Sequence, residues 1–183
     1  MIVAPSAPLK PGPNPTIITN LSAEWDRLGS IGQNKYVATY ATHWRLTMMI
    51  AALNSTQIGN ALQVNPKAAT PGLSAVNQAR FVAAMTYEAF TAYYKALRAE
   101  NRKAFLQSTN ANDNNGALLA QAMLKLCSTA ANAKPYVSEA YDYLNLAWQN
   151  GLLTNLQTLD PTGNTTKNLV ANLSSTQIGN ALR

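Results

Sequence analysis

Histidine and cysteine each occur once in the 183 residues, as His43 and Cys127, and only eight residues are acidic. One cysteine cannot form a disulfide framework, and one Cys with one His cannot build a metal cluster within a single chain. Charged residues of both signs make up 12%, about half the usual share. No stretch reaches the roughly 18 apolar residues of a membrane-spanning helix. Residues 1–15 hold five prolines and one lysine but no long apolar run, so neither a signal peptide nor an anchor is expected there, and the chain is expected to be soluble or part of an assembly. What is abundant is hydrophobic residues, at 47%, with Asn, Gln, Ser and Thr supplying the polar surface. A surface with so little charge is suited to contact with other subunits.

The charge that exists is unevenly placed. Residues 1–112 carry ten basic side chains (Lys10, Arg27, Lys35, Arg45, Lys67, Arg80, Lys95, Arg98, Arg102 and Lys103) against Glu24, Asp26, Glu88 and Glu100, while residues 113–183 carry four of each sign. The whole net charge of +6 lies in the first part, so a polyanion is expected to meet that part while the rest serves another purpose.

Periodicity predicts an all-α fold, a bundle of about four main helices with an extended N-terminal arm and a C-terminal tail. Prolines at 5, 8, 11, 13 and 15 predict an extended arm over residues 1–20. The helical domain then covers 21–160. Ser22 caps its start, and Gly29 and Gly32 weaken the first run. A longer helix follows over about 33–62, with Val37, Tyr40, Trp44, Met48 and Ala51 as its core stripe. After a loop at 65–72, Ser74 opens a helix reaching about 107, with Val82, Met85, Ala89, Tyr93, Leu97 and Ala104 inward. Tyr87, Thr91, Tyr94, Lys95, Arg98 and Arg102 fall along its flank. A third helix turns Leu119, Met123, Leu126 and Ala130 inward, and a fourth spans about 136–159. Residues 161–183 form the tail.

One peptide occurs twice: Ser55-Thr56-Gln57-Ile58-Gly59-Asn60-Ala61-Leu62 returns unchanged as Ser175-Thr176-Gln177-Ile178-Gly179-Asn180-Ala181-Leu182. Because the flanks agree only partly, it reads as a repeated peptide and not as a duplicated domain. Each copy can cap a turn and insert Ile and Leu, so the two are expected to occupy similar pockets, one of them on a neighbouring subunit.

Catalytic chemistry finds little support. His43 has no acid within four residues, Cys127 lies beside an inward stripe, Glu24 and Asp26 point to different sides of a helix, and the glycines form no phosphate cradle. No cofactor or metal is expected. The basic residues fit phosphate better. Lys95, Arg98 and Arg102 follow i, i+3, i+7 spacing and Lys103 broadens the face, while Arg27, Lys35 and Arg45 are separated by small residues that allow close approach to a rod-like ligand. With Lys10 and Arg80 these nine are the candidate nucleic-acid-binding residues, and Tyr87 and Tyr94 add hydroxyl donors or stacking surfaces. No zinc finger, basic zipper or aromatic ribonucleoprotein motif is present, so no sequence-specific reading is expected.

The proline-rich arm Pro5 to Pro15, the basic helix holding Tyr94-Lys95-Ala96-Leu97-Arg98 and the neutral segments 116–130 and 136–159 together resemble the major capsid proteins of filamentous viruses of hyperthermophilic archaea, of the rudivirus, lipothrixvirus and tristromavirus kind. The resemblance is one of organisation. It implies a structural protein whose dimers, of identical or paralogous coat chains, wrap double-stranded DNA in the A form and polymerise into a helical filament, the virion. It leaves room for a lipid envelope. A protein-only, pilus-like filament subunit is the alternative.

Overall fold

A computed structural model of the protein describes residues 15–64, 72–111, 116–128 and 134–182. Among these residues there is no strand, and the chain forms eleven helices: α1 (Pro15–Thr39), α2 (Trp44–Ala51), α3 (Ser55–Ala61), α4 (Ala75–Ala84), α5 (Tyr87–Ala96), α6 (Ala99–Ala111), α7 (Ala117–Ser128), α8 (Lys134–Asp142), α9 (Leu146–Leu159), α10 (Asn164–Asn172) and α11 (Ser175–Ala181). The all-α class is therefore as expected. Residues 1–14 of the arm lie outside the described residues, and the last six of its expected span, 15–20, are helical. Pro15 opens α1, a position that suits proline because its preset φ is helical and its missing N–H would have no partner there.

Each long helix expected from periodicity is cut into shorter ones, and local side-chain caps make most of the cuts. His43 Nδ1 accepts the Arg45 amide at 3.2 Å, Asn54 Oδ1 the Gln57 amide at 2.9 Å, Thr86 Oγ1 the Ala89 amide at 3.1 Å, and Asn145 Oδ1 the Trp148 amide at 3.0 Å. Each of these cap residues has extended backbone, so the helix restarts there in a new direction. Inside α1, Gly29 takes φ 60° and ψ 176°, a conformation that glycine adopts without a steric cost, and bends the helix. The expected tail forms α10 and α11.

The turn at 40–43 also resets the phase of the apolar stripe. Val37 is buried as expected, but α2 buries Leu46, Met49 and Ile50 and leaves Trp44 and Ala51 exposed. The centre of the molecule is α7, which packs against α4, α5, α6, α8, α9 and α10. Leu118, Leu119, Ala120, Ala122, Met123, Leu126 and Cys127 are all buried there, the pattern of a helix enclosed on nearly every side. Burial pushes the Cys127 thiol up to about 12. Thiolate is the reactive form, so Cys127 is expected to stay unmodified by an aromatic disulfide reagent at pH 8 until denaturant is added. Stoichiometric labelling of the folded chain would contradict that placement.

The repeated peptide belongs to a larger duplication, which corrects the expectation of a peptide alone. Gln57 of α3 accepts from the Asn54 amide (3.0 Å) and the Ser22 hydroxyl (2.9 Å) and donates to the Ser22 carbonyl (3.1 Å). Gln177 of α11 accepts from the Ser174 amide (2.8 Å) and the Ser138 hydroxyl (3.0 Å) and donates to the Ser138 carbonyl (2.9 Å). The seats match as well. Gln33 donates to the Trp25 carbonyl at 2.9 Å, and Gln149 to the Tyr141 carbonyl at 3.1 Å. Ser22, Asp26, Leu28, Gln33 and Asn34 thus correspond to Ser138, Asp142, Leu144, Gln149 and Asn150. The unit α1–α2–α3 recurs as α8–α9–α10–α11, with both copies of the peptide seated within one chain.

The second unit is fastened at Asp160, between α9 and α10. Its carboxylate accepts from the Thr162 hydroxyl and from the Thr165 amide (2.8 Å) and hydroxyl (2.7 Å). These hydrogen bonds, that of the Thr162 side chain first, hold the carboxyl at about 2 against its usual 3.8. A folded-state value below the unfolded one means that this contribution is complete above about pH 4 and is lost as pH falls through 2. Thermal midpoints between pH 5 and 2 should therefore fall less steeply in Asp160→Asn than in the wild type. Parallel profiles would contradict the role.

Candidate nucleic-acid interface

The most elaborate cluster of polar and aromatic groups stands at the corner between α1 and α2. Tyr36 and Tyr40 lie one turn apart with ring centroids 4.7 Å apart, Tyr40 and His43 are at 5.8 Å, and His43 and Trp44 at 5.4 Å. The Arg45 guanidinium carbon sits 5.4 Å from the Tyr40 ring and 5.9 Å from the Trp44 ring, and its Nη1 donates to the Tyr40 hydroxyl at 3.2 Å. The Tyr36 hydroxyl donates to the Arg45 carbonyl at 3.3 Å and ties the corner together. Arg45 is exposed and Trp44 is 53% exposed. A guanidinium held flat against rings loses little freedom on binding, and its remaining N–H groups can meet a phosphate while the indole face packs a sugar or base.

Sequence periodicity missed this corner by assigning Tyr40 and Trp44 to the core. The signal that would have found it is four ring residues within nine positions (36, 40, 43, 44) next to an arginine, in a segment whose other members are Val, Ala and Thr.

The remaining candidates divide by environment. Lys35, Arg80, Arg98 and Lys103 are exposed. Arg80 donates to Asn77 Oδ1 at 3.0 Å, and Arg98 lies 4.0 Å from Glu100. Arg27 is exposed and forked with Glu24 at 2.8 and 2.6 Å, a pairing that raises the guanidinium and lowers the carboxyl. Lys10 lies outside the described residues.

The flank expected to carry Tyr87, Thr91, Tyr94, Lys95, Arg98 and Arg102 on one helix does not exist as such. Leu97, with φ −68° and ψ 146°, ends α5, and a new helix starts at Ala99, so the i, i+3, i+7 relation fails across the break. Thr91 and Tyr94 are buried. Arg102 turns inward. Its Nε and Nη2 fork onto Glu139 at 2.7 and 3.0 Å, its Nη1 donates to the Leu97 carbonyl, and its side chain is 11% exposed. Lys95, half-buried, and Arg102 share the Tyr136 ring, at 5.5 and 5.1 Å from its centroid. Arg102 therefore fastens α6 to α8, and its charge is already compensated by Glu139.

No group of three or more His, Cys, Asp or Glu side chains able to hold a metal occurs among the described residues. No helix among them is long and apolar enough to cross a membrane. Compared with protein-family models, curated proteins and solved structures, the chain matches none.

Proposed function

We propose that the chain is a structural nucleoprotein, a viral coat subunit that packs double-stranded DNA without reading its sequence and polymerises into a helical filament. The observation that carries this reading is the exposed positive charge of the first 112 residues. Of the described candidate cations there, Lys35, Arg45, Arg80 and Lys103 have no carboxylate within ion-pair distance, and Arg98 has one only at its limit. These side chains lie on or beside α1, α2, α4 and α6, so a phosphate backbone would be met by several helices at once. Such contacts supply sequence-independent affinity through counterion release. Residues 113–183, with charges of both signs in equal number, serve assembly. Dimers of identical or paralogous chains, an A-form duplex and a virion location, with or without an envelope, complete the proposal by resemblance.

A protein-only filament is the second reading, favoured by exposed Leu146, Leu153, Leu159, Val170 and Leu182, which a nucleic acid does not require. The absorbance ratio of purified native particles at 260 and 280 nm separates the two. A ratio well above that of protein is expected, and a protein-like ratio would favour the second reading.

A further inference from the structure

The two copies of the repeated peptide have the same sequence, the same capping box and the same seat, yet their outer faces differ. In the first unit the face formed by Ile50 of α2 with Ile58, Ala61 and Leu62 is covered, each residue being less than a tenth exposed. Its cover comes from this chain. The Leu73 amide donates to the Ala61 carbonyl at 3.0 Å, Gly72 lies so close that a Cβ there would stand 2.4 Å from the Asn60 carbonyl, and Tyr93 of α5 reaches over Gly59, whose added Cβ would meet its hydroxyl at 3.2 Å. In the second unit the corresponding residues are bare. Val170 is 45% exposed, Ile178 is half-buried, Ala181 is exposed and Leu182 is 83% exposed. A Cβ on Gly179 would meet nothing within 4 Å. The inner faces do agree: Met49 and Leu169 are both buried, as are Gln57 and Gln177.

We infer that the outer face of α10 and α11, centred on Val170, Ile178 and Leu182, is an interface with the same face of a second copy of this chain. The first unit demonstrates that this eight-residue surface is complementary to protein at van der Waals distance, with glycine admitting a close approach. The face is also neutral: Lys167 is the one charged residue from 164 to 182. A neutral apolar face suits neither phosphate nor a charged partner, and two such faces meet without repulsion, the self-complementary arrangement of a two-fold dimer. This inference rests on the assembly half of the proposed function and is independent of its nucleic-acid half.

The test uses the full chain without DNA. Sedimentation over a wide concentration range should show reversible dimers or larger species for the wild type. Leu182→Asp should shift the midpoint of association at least tenfold upward, whereas Ile31→Asp, which changes an equally exposed residue on α1, should leave it in place. The Leu182→Cys variant should form a covalent dimer under mild oxidation, since position 182 meets its own copy across the two-fold axis and Cys127 is buried. If Leu182→Asp associates like the wild type and Leu182→Cys stays monomeric, this interface is wrong although assembly through another surface stands. If the wild type is a monomer at every concentration, the interface and the assembly reading both fall. Circular dichroism of each variant confirms that the helices are retained.

Discussion

Replacing Lys35, Arg45, Arg80, Arg98 and Lys103 together by alanine is expected to weaken binding to random-sequence duplex DNA about a thousandfold at 0.15 M salt, with the helical fold retained. Each side chain is exposed, and none anchors the core. Every lost phosphate contact removes about 0.9 from the log–log salt slope, so five lost contacts flatten it by about 4 to 5. The loss should be the same for unrelated DNA sequences, because backbone contacts position a protein without reading bases. Within this set Arg45→Ala should be the largest single loss, since its guanidinium is the one already oriented, by Tyr40 and Trp44. Undiminished affinity in the fivefold variant would remove these residues from the interface.

Arg102→Ala is expected to behave in the opposite way, costing stability and sparing DNA. The side chain is withdrawn from solvent, and truncation leaves the Glu139 carboxylate without its forked partner and the Leu97 carbonyl without its donor. Breaking such a pair costs about 3 kcal/mol, which for a chain of this size lowers the thermal midpoint by roughly 6 to 12 °C. Arg98→Ala, one turn away and fully solvated, should change it by less than about 0.5 kcal/mol. Arg102→Lys should recover only part of the loss, because an ammonium cannot make the two parallel bonds. The pairing also holds the Glu139 carboxyl below the ordinary range, so this contribution is present at neutral pH and fades on acidification as Glu139 is protonated. Normal stability with weakened DNA binding would mean that Arg102 faces the duplex after all.

The helical class and the position of most of the core were legible in the sequence, because burial imposes a three-to-four-residue spacing that survives short breaks. That same persistence hid the breaks. Val82 and Met85 lie buried in α4 and its C-cap, and Tyr93 in α5, on a continuous stripe, although Thr86 starts a new helix between them. The inward turn of Arg102 was not legible, since it depends on Glu139, 37 residues away, reaching the start of α6. The duplication was half legible. Its octapeptide is identical, but the seats lie 116 residues apart (22 to 138, 33 to 149) and the peptides 120 apart (57 to 177), so the two halves of the unit do not align in one register. Only the matched hydrogen bonds of Gln57 with Ser22 and Gln177 with Ser138 join them.

The division between a cationic first part and a neutral assembling remainder is tested most directly by the salt dependence of duplex binding by the intact chain. With six to ten phosphates neutralised per dimer, the affinity should fall with salt at a log–log slope of about −5 to −9, alike for DNA of different sequence. A slope near zero, or no binding at low salt, would contradict the account.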